Sequence, residues 1–353
     1  LVFSTYSGST SNNFGYTATY DEAGMLYSGS SAFGQGYPTE LGSYDSTHNG
    51  GASLIEQGID IALTKYNATG TARLWSTFLG GTGDELPHSI IVNAQNELVV
   101  YGSTGSTDFP TTAGAIDSSF GGGGIAAPSG TGANFPNGSD IIITHLSALG
   151  DALLGSTYLG GSANDGICDA AALKYNYADE FRGEVSLDAD GNILIVSSTR
   201  SSDIIAVNAA QAFNAGSQDA LIAKLNPTLS QVLWLTYFGG TGDDSGFSIT
   251  ENDLGEHYIC GGTSSSTLNL GASGAQSNYG GGAADAFIMR LSPAGNQMSG
   301  GTFWGSSSYD QAYFIETDAN GFVYIFGQTT AAGSALIQNA AYGTPNSGNL
   351  LSR

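Results

Sequence analysis

The sequence predicts an all-β protein, a β-propeller built of four-stranded antiparallel blades. Three observations predict it: a unit with about four short strand candidates recurs five times, glycine- and asparagine-containing turns separate the strands, and no convincing amphipathic helix interrupts the pattern. The 353 residues include 53 glycines and only 8 prolines, so the glycine excess is neither collagen-like nor typical of proline-rich disorder. Hydrophobic residues make up 41% of the chain, which is enough to bury a core.

The first predicted element of each unit is a short strand in which aromatic residues lie beside Ser and Thr. It recurs at residues 3–6, 75–78, 155–158, 234–237 and 300–303. The aromatic side chains keep a fixed place in this strand, so we expect most of them, Trp75 and Trp234 included, to belong to the core.

The second and third elements are strands joined by a tight turn. The turn residue falls at positions 24, 96, 191, 255 and 321, and it is glycine in all units except the second, which has Asn96. Residues of these types tolerate a positive φ, which hairpin turns require. The pattern therefore predicts antiparallel hairpins, which favours a propeller over the competing parallel β-helix, whose coils are also much shorter.

The fourth element is a strand that begins with Asp or Asn, at residues 60–63, 140–143, 219–222, 285–288 and 349–351. Together the four elements define one propeller region over residues 1–353, with units of approximately 1–70, 71–150, 151–230, 231–296 and 297–353. Glycine pairs at residues 80–81, 160–161 and 239–240 follow the first strand and are expected to permit close packing between units.

Loops of variable length lie between the repeated strands, and binding usually resides in such insertions. Unit two has a long loop at 113–139, and unit three has an insertion at 169–181. Tyrosines in loop-like stretches are the candidates for contact with a partner: Tyr37, Tyr44, Tyr175, Tyr177 and Tyr279.

An acidic or amide residue recurs shortly after the first strand of each unit, at Asn13, Glu85, Asp165, Asp244 and Asp310. In unit four it follows Asp243 within Gly239–Asp244, which matches the start of a calcium-binding nonapeptide. The sequence indicates no required cofactor. Calcium is a possible ligand, because it binds hard oxygen atoms, and the carboxylates that suggest it are those of Glu85, Asp165, Asp243, Asp244 and Asp310. The competing interpretation is that these carboxylates accept backbone N–H bonds in the turn.

The net charge of −23, from 8 basic and 31 acidic residues, excludes most nucleic-acid and anionic-membrane partners. No apolar run approaches the ~18 residues of a transmembrane helix, so direct membrane insertion is not expected.

No HExxH, GxSxG or P-loop pattern occurs, and His48, His88, His145 and His257 occupy non-equivalent places. We assign no catalytic residue. Cys168 and Cys260 are expected to be buried thiols.

Several segments resemble the bacterial SBBP β-propeller repeat. They are residues 158–161 (YLGG), 238–244 (FGGTGDD), 188–192 (DADGN) and 105–112 (GSTDFPTT). The resemblance covers all five units; it is specific in unit two and looser in units one and five, and units three to five lack the proline. The family is named for seven blades, so either the five visible units close a ring by themselves or further blades complete it. The resemblance favours the second alternative, a larger ring of about seven blades within a larger multidomain protein.

The sequence style is also similar to secreted or surface proteins of Bacteroidetes-type bacteria, many of which use type IX secretion and belong to the gliding-motility-associated group. In that context Ser46, within Asp45–Thr47, resembles an O-glycosylation signal. The resemblance implies an extracellular or outer-surface location.

These observations favour a non-catalytic propeller that acts as a structural or adhesive interaction module and binds a protein or polysaccharide. Two alternatives remain open: a glycan-active hydrolase or lyase on a propeller scaffold, and a passenger or component of the secretion and gliding machinery. A catalytic propeller would concentrate carboxylates with a His or Arg at one place, whereas a scaffold would show repeated turn carboxylates and variable loops.

Overall fold

The computed structural model describes residues 3–39, 41–176, 178–272, 274–333 and 336. These residues form eighteen strands and two short 3-10 helices. The strands are β1 (Asn13–Tyr20), β2 (Leu26–Ala32), β3 (Asp60–Tyr66), β4 (Arg73–Leu79), β5 (Glu85–Val92), β6 (Leu98–Thr104), β7 (Asp140–Leu146), β8 (Leu153–Leu159), β9 (Glu184–Leu187), β10 (Ile193–Thr199), β11 (Asp219–Leu225), β12 (Val232–Phe238), β13 (Asp244–Glu251), β14 (His257–Thr263), β15 (Asp285–Leu291), β16 (Met298–Trp304), β17 (Asp310–Thr317) and β18 (Val323–Thr329). The 3-10 helices span Ala171–Leu173 and Asp179–Phe181.

The strands form antiparallel sheets in which each strand pairs with its neighbour in sequence. Four sheets have four strands, β1–β4, β5–β8, β9–β12 and β13–β16, and the fifth contains β17 and β18 in the described residues. The predicted all-β fold of propeller blades is therefore confirmed. The fourth element predicted at 349–351 lies outside the described residues. No helix in the described ranges is long and apolar enough to cross a membrane.

The sheets begin one strand later than the units drawn from the sequence. The aromatic strand that contains Trp75 is β4, and it pairs with β3 as the last strand of its sheet. A sequence repeat does not show which strand begins a sheet. Only the hydrogen-bonded pairing of the strands determines which four of them form one sheet. The equivalent segment 3–6 was expected to be a strand, but it forms none, and Tyr6 is fully exposed.

The predicted hairpin turns are confirmed. The turn residues have φ angles of 77° at Gly24, 62° at Asn96, 81° at Gly191, 74° at Gly255 and 79° at Gly321. A side chain at the entrance accepts the backbone N–H groups of the turn: Asn93, for example, accepts from Gln95 and Glu97 through Oδ1. Asn252 and Asp318 do the same in their own turns.

Contacts divide the chain into two compact units. The first comprises 1–167 with 189–193 and 225–232, and the second comprises 168–188, 194–224 and 233–353. In the first unit, β1 packs against β5, and a core that includes Tyr27, Leu63 and Ile142 joins the two sheets. In the second unit, β13 packs against both β9 and β17. One core includes Phe238 and Phe287, and a second core, which includes Ala312 and Ile315 of β17, contains Cys260 and Ile288.

An aromatic side chain of the last strand packs on a glycine turn of the next sheet. A Cβ added to Gly150 would lie 2.5 Å from the ring of Trp75. The indole Nε1 of Trp75 donates a hydrogen bond to Ala148 O at 3.0 Å. In the second unit, Trp234 lies in the same way against Gly295. Both glycines have a positive φ, so the turn needs glycine for its backbone as well as for space.

We predict that Trp75→Ala lowers the free energy of unfolding by about 3–5 kcal/mol, because the removed ring leaves a cavity against Gly150. Leu74→Ala is the matched control, since Leu74 is in the same strand with its side chain 47% exposed. Equilibrium denaturation monitored by circular dichroism measures both variants. Equal losses in the two variants would contradict the packing role of Trp75.

Candidate functional sites

Four pairs of carboxyl groups are buried at the junctions between successive strand groups. One member begins the third strand of a sheet, and the other follows the last strand of that sheet. The pairs are Asp60 with Glu85, Asp140 with Asp165, Asp219 with Asp244 and Asp285 with Asp310. All eight residues are completely buried. The sequence showed both columns but did not show that they meet.

A glycine at the end of the last strand makes room for each pair. A Cβ on Gly239 would lie 2.5 Å from Asp219 Oδ1 and 2.7 Å from Asp244 Oδ2. A Cβ on Gly80 would lie 2.6 Å from Glu85 Oε2 and 2.9 Å from Asp60 Oδ1. Gly160 and Gly305 stand in the same position in their sheets. Real Cβ atoms do not come this close to their neighbours, so the first glycine after the aromatic strand is a steric requirement of the carboxyl pair.

Backbone N–H groups hold one oxygen of nearly every carboxyl group. In the turn after the last strand, Asp244 Oδ2 accepts from Gly240 N at 2.7 Å. Asp219 Oδ2 accepts from Ala215 N, in the loop before the third strand, at 2.9 Å. Glu85, Asp165 and Asp310 make the same turn contact. The predicted role of the carboxylate column as a backbone acceptor is therefore confirmed.

Burial raises the pKa of these carboxyl groups. It raises the pKa of Asp60 to about 8, and it raises the pKa values of Asp140, Asp219 and Asp285 to about 7 each. Burial also raises the pKa of Glu85 well above its usual range, with the charge of Asp60 as a second cause. A buried charge without full compensation is unfavourable, so the neutral form is stabilised.

The calcium candidates are spread over these pairs. Glu85, Asp165, Asp244 and Asp310 each face one other carboxyl group. The backbone N–H and C=O of Asp243 pair instead with Ser264. In the part of the chain that the structure describes, no group of three or more His, Cys, Asp or Glu residues is placed to hold a metal ion. Calcium binding remains a prediction.

The insertion of unit three is a folded segment, described at 168–176 and 178–183, within the second compact unit. Asp179 is completely buried and organises it: Oδ2 accepts from Tyr175 N at 2.9 Å and from Asn176 N at 2.7 Å, and Oδ1 accepts from Arg182 Nε at 2.8 Å. The Arg182 guanidinium lies 3.7 Å from the centre of the Tyr313 ring on β17. This cation–π contact, together with the hydrogen bond from Asn176 Nδ2 to the Tyr313 hydroxyl at 2.7 Å, attaches the insertion to β17.

Among the described residues of this segment, Tyr175 is the exposed aromatic residue. Its side chain is 53% exposed, and its ring stacks on that of Tyr309, with centroids 4.7 Å apart and ring planes at 30°. Tyr309 in turn packs on the buried cluster of Cys168 and Leu173. Tyr177 lies outside the described residues. The sequence suggested Tyr175 by its loop position, whereas its stacking partner is far along the chain and gave no signal.

The structure corrects the expectation that Tyr37 contacts a partner, and it shows that two other candidate tyrosines are only partly exposed. Tyr37 is buried: its hydroxyl pairs with Thr64 Oγ1 at 2.9 Å and its ring packs on Phe78, so it is not available to a partner. Tyr44 is half-buried against a core cluster. Tyr279 is also half-buried, and its hydroxyl donates to Gly282 O at 3.2 Å. Ser46 is exposed, and its glycosylation remains a prediction.

The histidines and cysteines do not assemble into a reactive group. Burial lowers the pKa of His88 to about 3 and that of His257 to about 4, so both rings are neutral at physiological pH. His48 has its pKa lowered by burial as well. Cys168 and Cys260 are free and buried, as predicted, and burial raises the pKa of each thiol.

Comparison with known proteins reveals no matching family model and no matching curated protein. Solved structures similar to this chain include a protein of unknown function from Dyadobacter fermentans (10% identity, TM-score 0.46, 92% of this chain and 78% of that chain). A NanB sialidase from Streptococcus pneumoniae has 9% identity and a TM-score of 0.48 over 93% of this chain, which spans 60% of the sialidase. The family-43 β-xylosidase CoXyl43 from a compost metagenome has 10% identity and a TM-score of 0.35, with 98% of this chain and 94% of that chain covered.

We predict that Gly239→Ala lowers the free energy of unfolding by about 1–3 kcal/mol, because the new methyl group collides with the buried pair of Asp219 and Asp244. Gly124→Ala is the matched control, since a Cβ there meets no atom within 4 Å. Thermal and chemical denaturation measure both variants. A Gly239 variant as stable as the Gly124 variant would show that the glycine column has another cause.

Proposed function

We propose that this chain is a non-catalytic, surface-exposed binding module of an exported bacterial protein. Its repeated blades form the scaffold, and its inserted segment contacts a protein or polysaccharide partner. The observation that carries the proposal is the segment 168–183, which departs from the repeat, is fixed by the buried Asp179, and presents Tyr175 on a stacked base.

An exposed aromatic ring on a rigid base suits recognition. Tyrosine supplies a large contact area at a small cost in conformational entropy, and residues of this kind are frequent among the energetically dominant contacts of interfaces. The stacked Tyr309 and the Arg182–Tyr313 contact restrict the segment before binding, which lowers the entropic cost of association.

The disposition of the acidic residues supports a scaffold rather than an enzyme. The eight paired carboxyl groups recur at equivalent positions from sheet to sheet, and at least one oxygen of each accepts a backbone N–H. Within the insertion, Asp179 is ion-paired with Arg182 and Glu180 with Lys174 at 2.8 Å each. Glycoside hydrolysis requires two carboxyl groups free to act on a substrate, and these two are engaged in ion pairs.

Location and cellular role form the second part of the proposal. The resemblance to SBBP repeats supports an extracellular or outer-surface site in a Bacteroidetes-type bacterium, with export by the type IX route and a role in adhesion or gliding. Immunolabelling of intact cells of the source bacterium tests this location. Detection only after lysis would contradict it.

We predict that Tyr175→Ala weakens binding to the partner by at least about 10-fold, because the exposed ring supplies the central contact. Tyr20→Ala is the matched control: Tyr20 is 75% exposed and lies on β1, in the first compact unit. The measurement uses an array of purified bacterial polysaccharides and surface proteins to find a binder, followed by surface plasmon resonance with that binder.

Two outcomes would contradict the proposal. Equal affinities for wild type, Tyr175→Ala and Tyr20→Ala would show that the insertion is not the binding surface. Release of reducing sugar from an arrayed polysaccharide by the purified wild-type chain would show that the protein is an enzyme.

A further inference from the structure

Two amide side chains lie beside the exposed ring of Tyr175. Asn176 follows Tyr175 directly in the insertion, and its Nδ2 donates to Gln328 Oε1 on β18 and, at 2.7 Å, to the Tyr313 hydroxyl. The Tyr313 hydroxyl donates to the same Gln328 Oε1 at 3.2 Å. Asn176 is exposed and Gln328 is half-buried, so this amide pair lies at the surface of the second compact unit.

The buried carboxylate of Asp179 sets the orientation of both amides. An ionised carboxylate only accepts hydrogen bonds, and Asp179 Oδ2 lies 3.3 Å from Asn176 Nδ2, so the Asn176 amide directs its nitrogen inward. Gln328 directs its oxygen toward that nitrogen. Among the residues that the structure describes, every side-chain hydrogen bond of the amide pair uses Asn176 Nδ2 or Gln328 Oε1. One acceptor, Asn176 Oδ1, and one donor, Gln328 Nε2, are therefore left for a ligand.

The aromatic ring and the amide pair belong to one surface. Gln311 on β17 pairs with Gln328 in the register of the sheet, and Gln311 Nε2 donates to Leu173 O of the insertion at 3.1 Å. The insertion therefore passes over the β17–β18 pair at this point. The ring of Tyr175, two residues after Leu173, stacks with one face on Tyr309, and the side chain is still 53% exposed. A ligand can contact the other face of this ring together with the two free amide atoms.

An aromatic face with an acceptor and a donor beside it suits a sugar ring. One side of a pyranose carries C–H groups, whose partial positive charge fits the negative face of an aromatic ring. Each sugar hydroxyl can donate and accept, so two adjacent hydroxyls can satisfy an amide oxygen and an amide nitrogen together. An apolar protein contact fits less well, because the dominant contacts of protein interfaces are surrounded by groups that exclude water, whereas an exposed amide adjoins Tyr175.

The charge of the site favours a neutral sugar. Lys174 and Arg182 are the basic residues of the described part of the insertion. Lys174 Nζ pairs with Glu180 Oε1 and Arg182 Nε pairs with Asp179 Oδ1, at 2.8 Å each. Both cations are thus already engaged by carboxylates, and the formal net charge of −23 repels anionic ligands. A sugar that carries a carboxylate or a sulfate is therefore disfavoured.

We propose that Tyr175, Asn176 and Gln328 form a subsite for one neutral pyranose unit of a polysaccharide. The proposal rests on the proposed function, in which the insertion is the binding surface, and it names the partner of that surface. The sugar ring stacks on the free face of Tyr175. One of its hydroxyls donates to Asn176 Oδ1, and an adjacent hydroxyl accepts from Gln328 Nε2. Tyr175 supplies the contact area, and the two amides select a sugar with neighbouring hydroxyls.

The test measures binding of neutral oligosaccharides to the purified chain by saturation-transfer NMR and titration. The probes are hexasaccharides of glucose, mannose, galactose, xylose and N-acetylglucosamine, with oligogalacturonate as the anionic comparison. We expect at least one neutral probe to bind wild type, with the strongest saturation on the C–H protons of one ring face. This wild-type measurement depends on no variant.

Variants then assign the binding to the three residues, and circular dichroism verifies that each variant folds. Tyr175→Ala should raise the Kd at least about 10-fold, whereas Tyr175→Phe should change it less than about twofold, because stacking does not need the hydroxyl. Gln328→Ala should raise the Kd about fivefold through the loss of one hydrogen bond. Gln231→Ala is the matched control, since Gln231 is exposed in a turn of the first compact unit, and its Kd should equal that of wild type.

Three results would overturn the sugar subsite. They are binding of no neutral probe, binding of oligogalacturonate in preference to all neutral probes, and neutral-probe binding that Tyr175→Ala leaves unchanged. A surface protein that binds through Tyr175, while no neutral probe binds, would overturn the subsite but leave the proposed function standing. A partner of any class that binds wild type and Tyr175→Ala equally well would instead contradict the proposed function of the insertion.

Discussion

The steric constraint at the blade junction governs the rest of this structure. A glycine such as Gly239 must end the last strand because the adjoining space is filled by two carboxyl groups. Those groups in turn hold the backbone of two different segments, the loop before the third strand and the turn before the next sheet. One small residue and two acids therefore connect strands that share no hydrogen-bonded ladder.

The buried carboxyl pairs account for part of the high acidic content of the chain. The formal charge of −23 counts every carboxyl group as ionised. Eight of the acids are buried in pairs, and burial raises the pKa of Asp60 to about 8 and the pKa values of Asp140, Asp219 and Asp285 to about 7 each, which favours their neutral forms. Other acids, among them Glu22, Asp151 and Asp253, lie on the exposed surface, where negative charge opposes anionic partners.

The insertion at 168–183 follows a different principle from the repeats. Its completely buried acid, Asp179, pairs with the guanidinium of Arg182 and with two backbone N–H groups, whereas each acid at the sheet junctions lies beside a second carboxyl group. The segment is thereby fixed without adding a strand to any sheet. Conserving the scaffold and varying such a segment is a common way in which repeat proteins acquire a binding surface.

The sequence alone determined most of the strands, their order and their hairpin turns, because these depend on neighbours in the chain: turn residues such as Asn96 adopt a positive φ for local steric reasons. It also showed both columns of acids as repeats. Only the tertiary structure decided that Trp75 ends a sheet, that Tyr37 is buried, and that Asp219 meets Asp244. These outcomes depend on which distant segments pack together. A repeat pattern in the sequence shows neither which strand begins a sheet nor which residues contact each other across sheets.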